Sequence, residues 1–494
     1  MVRPGGLWQK DSQDGGGASG RALQVFHGRL LVGGAFQTAG GVSSRNVAQW
    51  DGEHWLPIPG NTHGLDDRVQ VLIEHRGELI AGGWFRQAGG TELNFIGQWD
   101  GSRWESLGLG VDSGVFALAS YRGDLIAGGW FAMAGGAPAA GIARWDGQAW
   151  HPMGTGVEGG VVLALYEYGE HLIVGGTFDR AGGRLSPRIA RWNGTQWLPF
   201  ADGIAGSFGG AVYDLETYHG QLVAAGDFGI ASGQHIRSIA LWDGVEWQPL
   251  GDGLTHDEYD TWFPMVVVRS TVVFDNRLVA AGYFTHADGC PAMNIACWNG
   301  AEWRPMGDGL AKTVESLCVY EGRLVAAGRM RTDLGSPWDH VAQWDGLQWS
   351  CLGSGICTNS YPSILAMAEF DGDLYFGGLF HDAGDRPADH IARWTDTSRG
   401  TADGPRHLRV MPNPVREGSV IQYFLPGARI VDLTLHDITG RIVSRLASTE
   451  QGGGWHALSW SGLDDEGRRL ASGVYLLRVD SGSKTTTGRI LLVD

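Results

Sequence analysis

Residues 45–55 read RNVAQWDGEHW, two tryptophans bracketing Asp51-Gly52. Asp-Gly and Asn-Gly are the pairs that tolerate positive φ at both centres of a type I′ turn, so the stretch predicts a β-hairpin closed by a two-residue turn. In that register Trp50 faces Glu53 and Ala48 faces Trp55, which puts both indoles on one face of the ribbon as diagonal neighbours. One hairpin therefore offers a large apolar plate.

The plate recurs along the chain. Its first tryptophan falls at Trp50, Trp99, Trp145, Trp192, Trp242, Trp298, Trp344 and Trp394, spaced by 46 to 56 residues, and the turn is written DG or NG in every copy but the last. Its second follows at Trp55, Trp104, Trp150, Trp197, Trp247, Trp303 and Trp349. Upstream lies another repeated phrase, LIAGGWFRQAGG at 79–90, LIAGGWFAMAGG at 125–136 and LIVGGTFDRAGG at 172–183, preceded by an apolar stretch and a turn. Each unit thus predicts four short strands, which in the third copy are A (FALAS), B (DLIAGGWF), C (GIARW) and D (QAWHPM). Periods of about 40 to 50 residues with four strands each are the signature of propeller blades. Eight copies of A, B and C imply an all-β, eight-bladed β-propeller over residues 1–394. The eighth copy lacks a second tryptophan, while GGLWQK places Trp8 just before the first A strand. The reading is that an N-terminal strand completes the last blade and closes the ring; the alternative is that Trp8 belongs to a further blade of a longer chain.

Composition agrees with a turn-rich β fold. The 494 residues include 80 glycines and 22 tryptophans, and sixteen of those tryptophans occupy the repeat positions, Trp8 included. Their expected role is packing between blades, because buried aromatics dominate cores. The net charge is −17, and residues 405–494 hold 11 basic and 9 acidic side chains, so the excess acid lies in the repeats. Such a surface repels polyanions, which argues against nucleic acid or anionic membrane as partners. No apolar run reaches the length of a membrane span, and the opening MVRPGGLWQKD shows no secretion signal. The five cysteines, Cys290, Cys297, Cys318, Cys351 and Cys357, match no zinc spacing. Cys351 and Cys357 either staple a loop or serve as small core residues.

After Trp394 the small polar stretch TDTSRGTADGPR marks a linker, 395–408. Beyond it short apolar runs, SVIQYFL, IVDLTLHDI, WHALSW, GVYLLRV and GRILLV, alternate with Gly, Pro and Asp turns, as in a small immunoglobulin-like β-sandwich over 409–494. MPNPVREGSVIQYFL, LHDITGRIV, GLDDEGRRLASGVYLLRV and TGRILLVD resemble the C-terminal sorting domain of type IX secretion substrates and the related immunoglobulin-like module of flagellar hook-capping proteins. That resemblance implies an address tag read by secretion machinery through 409–494, and an extracellular or cell-surface location. The repeats, with GGxFxxAGG followed by IAxWDGxxW, resemble kelch-like and galactose-oxidase-like repeats, and most closely those of a fungal cortical marker of cell polarity. The resemblance implies a propeller fold that hosts lectin-like, protein-binding and enzymatic members.

In a propeller the B-to-C and D-to-A connections emerge on one rim and the tight turns on the other. The longest insertion is the D-to-A segment THDEYDTWF, 255–263. Its Asp257, Glu258, Tyr259, Asp260 and Trp262 combine carboxylates with aromatics, a mix suited to sugar stacking or to a contact through calcium, the one cofactor this pattern suggests. Neighbouring rim candidates are His286 and Asp288, Arg329, Arg331 and Asp333, and His381, Asp382 and Asp385. Trp84 and Trp130, inside the GGxF phrase, are further candidates whose plainer reading is blade packing. No phosphate loop, nucleophile elbow or zinc helix is present, and nothing gathers the ligands of a copper-radical oxidase. The expectation is a binding propeller recognising glycan or protein; a carbohydrate-active enzyme using rim carboxylates and a purely structural surface protein are the alternatives.

Overall fold

The structure is a computed structural model. It describes residues 19–492 except 27–28, 37, 40–41, 45, 51–54, 57–64, 89, 100–102, 201, 206–209, 257–265, 312, 321, 330–339, 353–355, 358–362, 371–372, 380–381, 384–385, 388–390, 395–405, 412–418, 426–428, 438–439, 453, 461 and 482–483. The chain divides into two compact units, Met1–Phe370 with Leu374–Trp394, and Asp371–Asp373 with Thr395–Asp494. Every regular element among the described residues is a strand.

The first unit is a succession of eight antiparallel sheets, each from one sequence repeat. Seven have four strands in the order A-B-C-D, and the eighth shows A-B-C among the described residues. In sheet 3 the strands are Val115–Tyr121, Asp124–Gly129, Ile142–Trp145 and Trp150–Pro152. Strand A of each sheet packs against strand A of the next, and Ser19–Phe26 of sheet 1 packs against Ser363–Phe370 of sheet 8. This all-β arrangement is consistent with a propeller. The strand expected around Trp8 lies outside the described residues, as do the side chains of Cys351 and Cys357.

The hairpin differs from expectation in register. Trp145 pairs directly with Trp150, and Trp50 with Trp55, so the tryptophans face one another and are not diagonal neighbours. Positive φ falls on Gly147 alone of the Asp-Gly pair, which makes glycine the first central residue of the turn. The aspartate is required for another reason, since Asp146 Oδ1 accepts the N–H groups of Gln148 and Ala149 at 2.8 and 2.9 Å. Asn193, Asp243, Asn299 and Asp345 do the same in their turns. The Ala149 and Gln148 N–H groups, with the His151 ring, hold the Asp146 carboxyl well below the usual carboxylate range.

Strand B is also shorter than expected, ending at the second glycine of GGxF. The following AGG is the turn of a separate small hairpin, Met133–Ala134 with Ala137–Pro138, with both Gly135 and Gly136 at positive φ. In four sheets a two-residue strand from the preceding D-to-A connection adds to this hairpin, as Val157–Glu158 does to Arg180–Ala181. The glycine pair itself is a packing device. A Cβ on Gly82 would meet Val115 Cγ1 of the next sheet at 2.6 Å, and one on Gly83 would strike the Arg68 carbonyl of its own sheet.

The tryptophans hold neighbouring sheets together. Trp145 and Trp150 are buried with ring centroids 5.4 Å apart, in a core cluster that includes Ile80, Ile96 and Leu107 of the preceding sheet. Trp150 Nε1 donates to the Leu107 carbonyl at 2.6 Å, and Trp197, Trp303 and Trp349 make the equivalent bond. Packing between repeats was the expected role, and in these four repeats the second indole also supplies a partner to a buried carbonyl, whereas Trp104 and Trp247 bury Nε1 without one.

In the second unit a sheet of Arg406–Met411, Val420–Leu425 and Gly454–Ser459 accompanies a sheet of Ile442–Gln451, Arg429–His436, Gly473–Ser481 and Lys484–Leu492. Ile421 and Tyr423 from the first and Leu433, Leu435, Leu477 and Val479 from the second share one core, as expected of a sandwich. Its first strand begins at Arg406, three residues ahead of the boundary expected at 409. Among the described residues no helix is long and apolar enough to cross a membrane.

Candidate functional site

Two positions in each repeat place variable side chains at one end of the row of A strands. The first is a β-bulge at the second or third residue of the A strand's paired stretch, which holds Gln70, Phe116, Leu163, Tyr213, Arg269 and Glu315 in sheets 2 to 7 and Arg21 in sheet 1. A bulge inserts an unpaired residue and re-aims its side chain. The second is the residue after the last glycine of strand B, which is written Gly-Gly in sheets 1 to 4 and Ala-Gly in sheets 5 to 7. There Trp84, Trp130, Thr177, Asp227 and Arg329 each donate a backbone N–H to the carbonyl just ahead of their own A strand. Tyr283 occupies this position in sheet 6.

In sheets 5 to 7 these positions form a continuous polar chain. Tyr213 Oη donates to Asp227 Oδ2 at 3.3 Å, and the Arg269 guanidinium lies over the Tyr213 ring, 4.4 Å from its centroid. Arg269 Nε is 3.7 Å from one oxygen of Glu315, and Arg329 Nε is 3.5 Å from the other. The Glu315 side chain is only 16% exposed, so one shielded carboxylate serves two guanidiniums. Burial, then the Asp227 charge, pushes the Tyr213 phenol up. Beside this chain Asp214 Oδ2 accepts the backbone N–H and hydroxyl of Thr271 across the sheet 5–6 contact, at 2.6 and 2.9 Å. Enclosure of that carboxylate raises its pKa to about 6, because desolvation outweighs the donors.

In sheets 1 to 3 the same positions hold the cation Arg21 and the aromatics Trp84, Phe116 and Trp130, together with Gln70 and Ala35. Trp84 packs against Phe116 with centroids 5.7 Å apart, and the Arg68 guanidinium lies 5.2 Å from the Trp84 ring centroid. Trp84 also borders Gly114, whose carbonyl accepts the Trp130 N–H at 2.9 Å. Burial, then the charge of Arg68, lowers the pKa of Arg21, which places two guanidiniums in one neighbourhood. Trp84 is half-buried, whereas Trp130 is 63% exposed, so the two tryptophans grouped by sequence have different roles.

Of the residues singled out from sequence, Arg329 joins the polar chain. His286 sits in the small hairpin with its Nδ1 3.0 Å from the Thr285 hydroxyl. Asp288 plays a structural role, with Oδ1 accepting the Asp252 N–H at 2.7 Å and Oδ2 the Trp303 N–H at 2.6 Å, which ties the hairpin to strand D of its sheet. Asp257, Glu258, Tyr259, Asp260, Trp262, Arg331, Asp333, His381 and Asp385 lie outside the described residues, and Asp382 is described only as backbone in a two-residue strand. The calcium contact suggested for 257–262 lies with them; among the described residues no group of three or more His, Cys, Asp or Glu could hold a metal ion. The insertion is rooted beside the same end of the sheets, because His256 stacks on Tyr283 at 4.6 Å. Sequence reading missed Tyr213, Asp227, Arg269 and Glu315. Their signal, a variable residue at one fixed phase of each repeat, emerges only once the bulge is seen. At the turn end, a cleft of about 320 Å³ between sheets 2 and 3 is lined by His75, Glu78, Gln98, Glu105 and Trp145.

None of the curated proteins compared matches the chain. Among solved structures, PorZ, a surface component of the type IX secretion system of Porphyromonas gingivalis, is 17% identical, with a TM-score of 0.36 over 96% of this chain and 59% of its own. The chain thus covers less than two thirds of PorZ. A fungal alcohol oxidase of the AA5 family in complex with copper is 12% identical, with a TM-score of 0.26 over 96% of this chain and 85% of its own. Latent PorU from Porphyromonas gingivalis is 14% identical, with a TM-score of 0.18 over 75% of this chain and 31% of its own. Likenesses this distant carry no argument about activity. Residues 416–485, inside the second unit, match the FlgD Ig-like domain.

Proposed function

We propose that the first unit is an eight-bladed propeller that acts as an extracellular or cell-surface binding module, recognising a glycan or a protein through the end where its B-to-C and D-to-A connections emerge. Contact between the A strands of sheets 1 and 8 supports the closed ring, with the stretch around Trp8 as the missing strand of the last blade. The observation that carries the functional reading is the pairing of bulge and post-glycine positions, which sets a row of non-repeating side chains on a repeating scaffold. At the turn end, by contrast, the repeat keeps Asp or Asn for backbone capping. Concave, preformed sites with a few placed polar groups and aromatics are the usual form of ligand sites. Asp227 and Glu315 are each engaged by neighbouring donors, which favours recognition over acid–base chemistry.

The FlgD Ig-like match and the sorting-domain resemblance support the second unit as a secretion or anchoring module for an exported protein. The decisive experiment exposes the full chain to glycan and protein arrays, with mass spectrometry of the retained glycans. Retention of intact ligand is expected. Shortened or oxidised glycan would replace the binding reading with an enzymatic one, and silence on both arrays would leave a structural role. Removing residues 406–494 should leave the product inside the producing cell; unchanged export would overturn the sorting part of the proposal.

A further inference from the structure

We propose that the cleft between sheets 2 and 3, at the turn end, binds the phenol ring of a ligand, with Leu125 and Trp145 as its apolar wall and Arg76 and His75 beside it. This site lies at the opposite end of the sheets from the recognition end proposed above and does not depend on it.

The repeats themselves define the occupant. The last residue of strand A is tyrosine in sheets 3, 4, 5 and 7 and phenylalanine in sheets 1, 6 and 8, whereas sheet 2 has the smaller ring of His75. Tyr121, Tyr168 and Tyr218 each reach the next sheet, where the hydroxyl donates to the carbonyl just ahead of strand B, that of Glu170 at 2.6 Å, Gly220 at 2.7 Å and Asn276 at 3.4 Å. Tyr121 packs in one core cluster with Leu172 and Trp192, whose counterparts in sheet 3, Leu125 and Trp145, line the cleft. The Arg122 guanidinium lies 5.2 Å from the Tyr121 ring centroid and against Gly194. Arg76 lies against Gly147 in the same way, and both line the cleft. The walls that enclose a tyrosine between sheets 3 and 4 are thus repeated between sheets 2 and 3 around a cleft of about 320 Å³, at the small end of the usual range of ligand sites.

His75 is turned to another partner. Its Nδ1 is 2.7 Å from the Ser120 hydroxyl of strand A in sheet 3, and its Nε2 is buried with no hydrogen-bond partner among the described residues. A buried polar atom left unpaired is costly, and this nitrogen is a donor or an acceptor according to the tautomer. A phenol hydroxyl both donates and accepts, so it suits either form, which a plain aryl ring does not. Glu78 and Glu105 also line the cleft and oppose a carboxylate on the ligand, so the phenol belongs to a neutral or cationic molecule. Free phenols and the tyrosine side chain of a peptide share this chemistry.

The test is calorimetric titration of the full chain with tyramine and with a blocked pentapeptide of central tyrosine and flanking glycines. Whichever binds should do so at least about tenfold tighter than its counterpart without the hydroxyl, phenethylamine or the phenylalanine peptide. Binding of tyramine alone would identify a free phenol as the ligand, and binding of the peptide, alone or as tightly as tyramine, would identify a tyrosine side chain. His75→Tyr, which supplies the ring from the chain itself, should abolish binding and raise the melting temperature. Arg76→Ala, at a half-exposed side chain, should weaken binding with the fold intact. Equal affinity with and without the hydroxyl, binding that survives His75→Tyr in a folded variant, or no binding of either probe to the unaltered chain would each overturn the proposal, whatever the arrays retain.

Discussion

At sheets 5 to 7 the bulged Tyr213, Arg269 and Glu315 and the post-glycine Asp227 and Arg329 close a chain of charges on themselves. At sheets 1 to 3 the same backbone positions hold Arg21, Phe116, Trp84 and Trp130, and Arg68 lies on an indole face with no carboxylate partner among the described residues. The bulge and the last glycine of strand B are common to both, although sheets 5 to 7 carry Ala-Gly where sheets 1 to 3 carry Gly-Gly. The difference teaches that scaffold and recognition are separable here. Hydrogen bonding and close packing fix where a side chain points, and the identity of that side chain then decides whether its charge is satisfied internally or offered outward.

The shared backbone is the first part of this comparison to break. Gly129→Ala and Gly226→Ala would drive a Cβ into the Gly114 and Ala211 carbonyl oxygens respectively. Both should cost more than about 3 kcal/mol, the range of severe overpacking; a thermal melt in which one sector tolerates alanine would show that the scaffolds differ.

The second break concerns Asp214, which has no ionisable counterpart at Val71 or Ala117. Its folded pKa of about 6 lies above the unfolded carboxylate value, so the native state binds the extra proton between them. Stability contributed by this group is therefore present below about pH 4 and lost as pH rises to about 6, by on the order of 3 kcal/mol. Asp214→Asn should flatten that part of the stability profile, measured by urea denaturation from pH 4 to 7. An unchanged wild-type slope would place the proton elsewhere.

Smaller effects separate the sectors side chain by side chain. Trp84→Ala removes the Phe116 and Arg68 contacts and should destabilise by about 2 kcal/mol. Glu315→Gln removes the charge between two guanidiniums and should cost about 1 kcal/mol, falling with added salt. A cost independent of salt would mean that the residue acts by packing. Trp130→Ala should change stability by less than about 0.5 kcal/mol, since its ring is mostly in solvent; a large loss would assign it to the scaffold with Trp84.

Much of the scaffold is legible in the sequence. Two tryptophans at a five-residue spacing, repeated with DG or NG between them, predict hairpins and packing between units, and both are present. The turn register differs by one residue from that expectation, because the Asp146 carboxylate takes two backbone donors and moves glycine to the first central position. The candidate site was read from local concentrations of acid and aromatic residues, which favoured 257–262 and the His286–Asp288 hairpin. Asp288 holds strand D through the Trp303 amide, an arrangement invisible in sequence spacing.

Sequence alone determined the number and order of repeats, the main strands A to C of each, the tryptophan scaffold and a second unit of different character, because each follows from local periodicity and turn chemistry. Tertiary structure alone decided which variable residues stand together. Arg269 meets Tyr213 and Glu315 across sheets 5, 6 and 7, and Trp84 meets Phe116 across sheets 2 and 3, because a bulge re-aims one residue per strand toward neighbours in the adjoining repeats. Contacts at that separation depend on how whole sheets pack, which no window of the sequence contains.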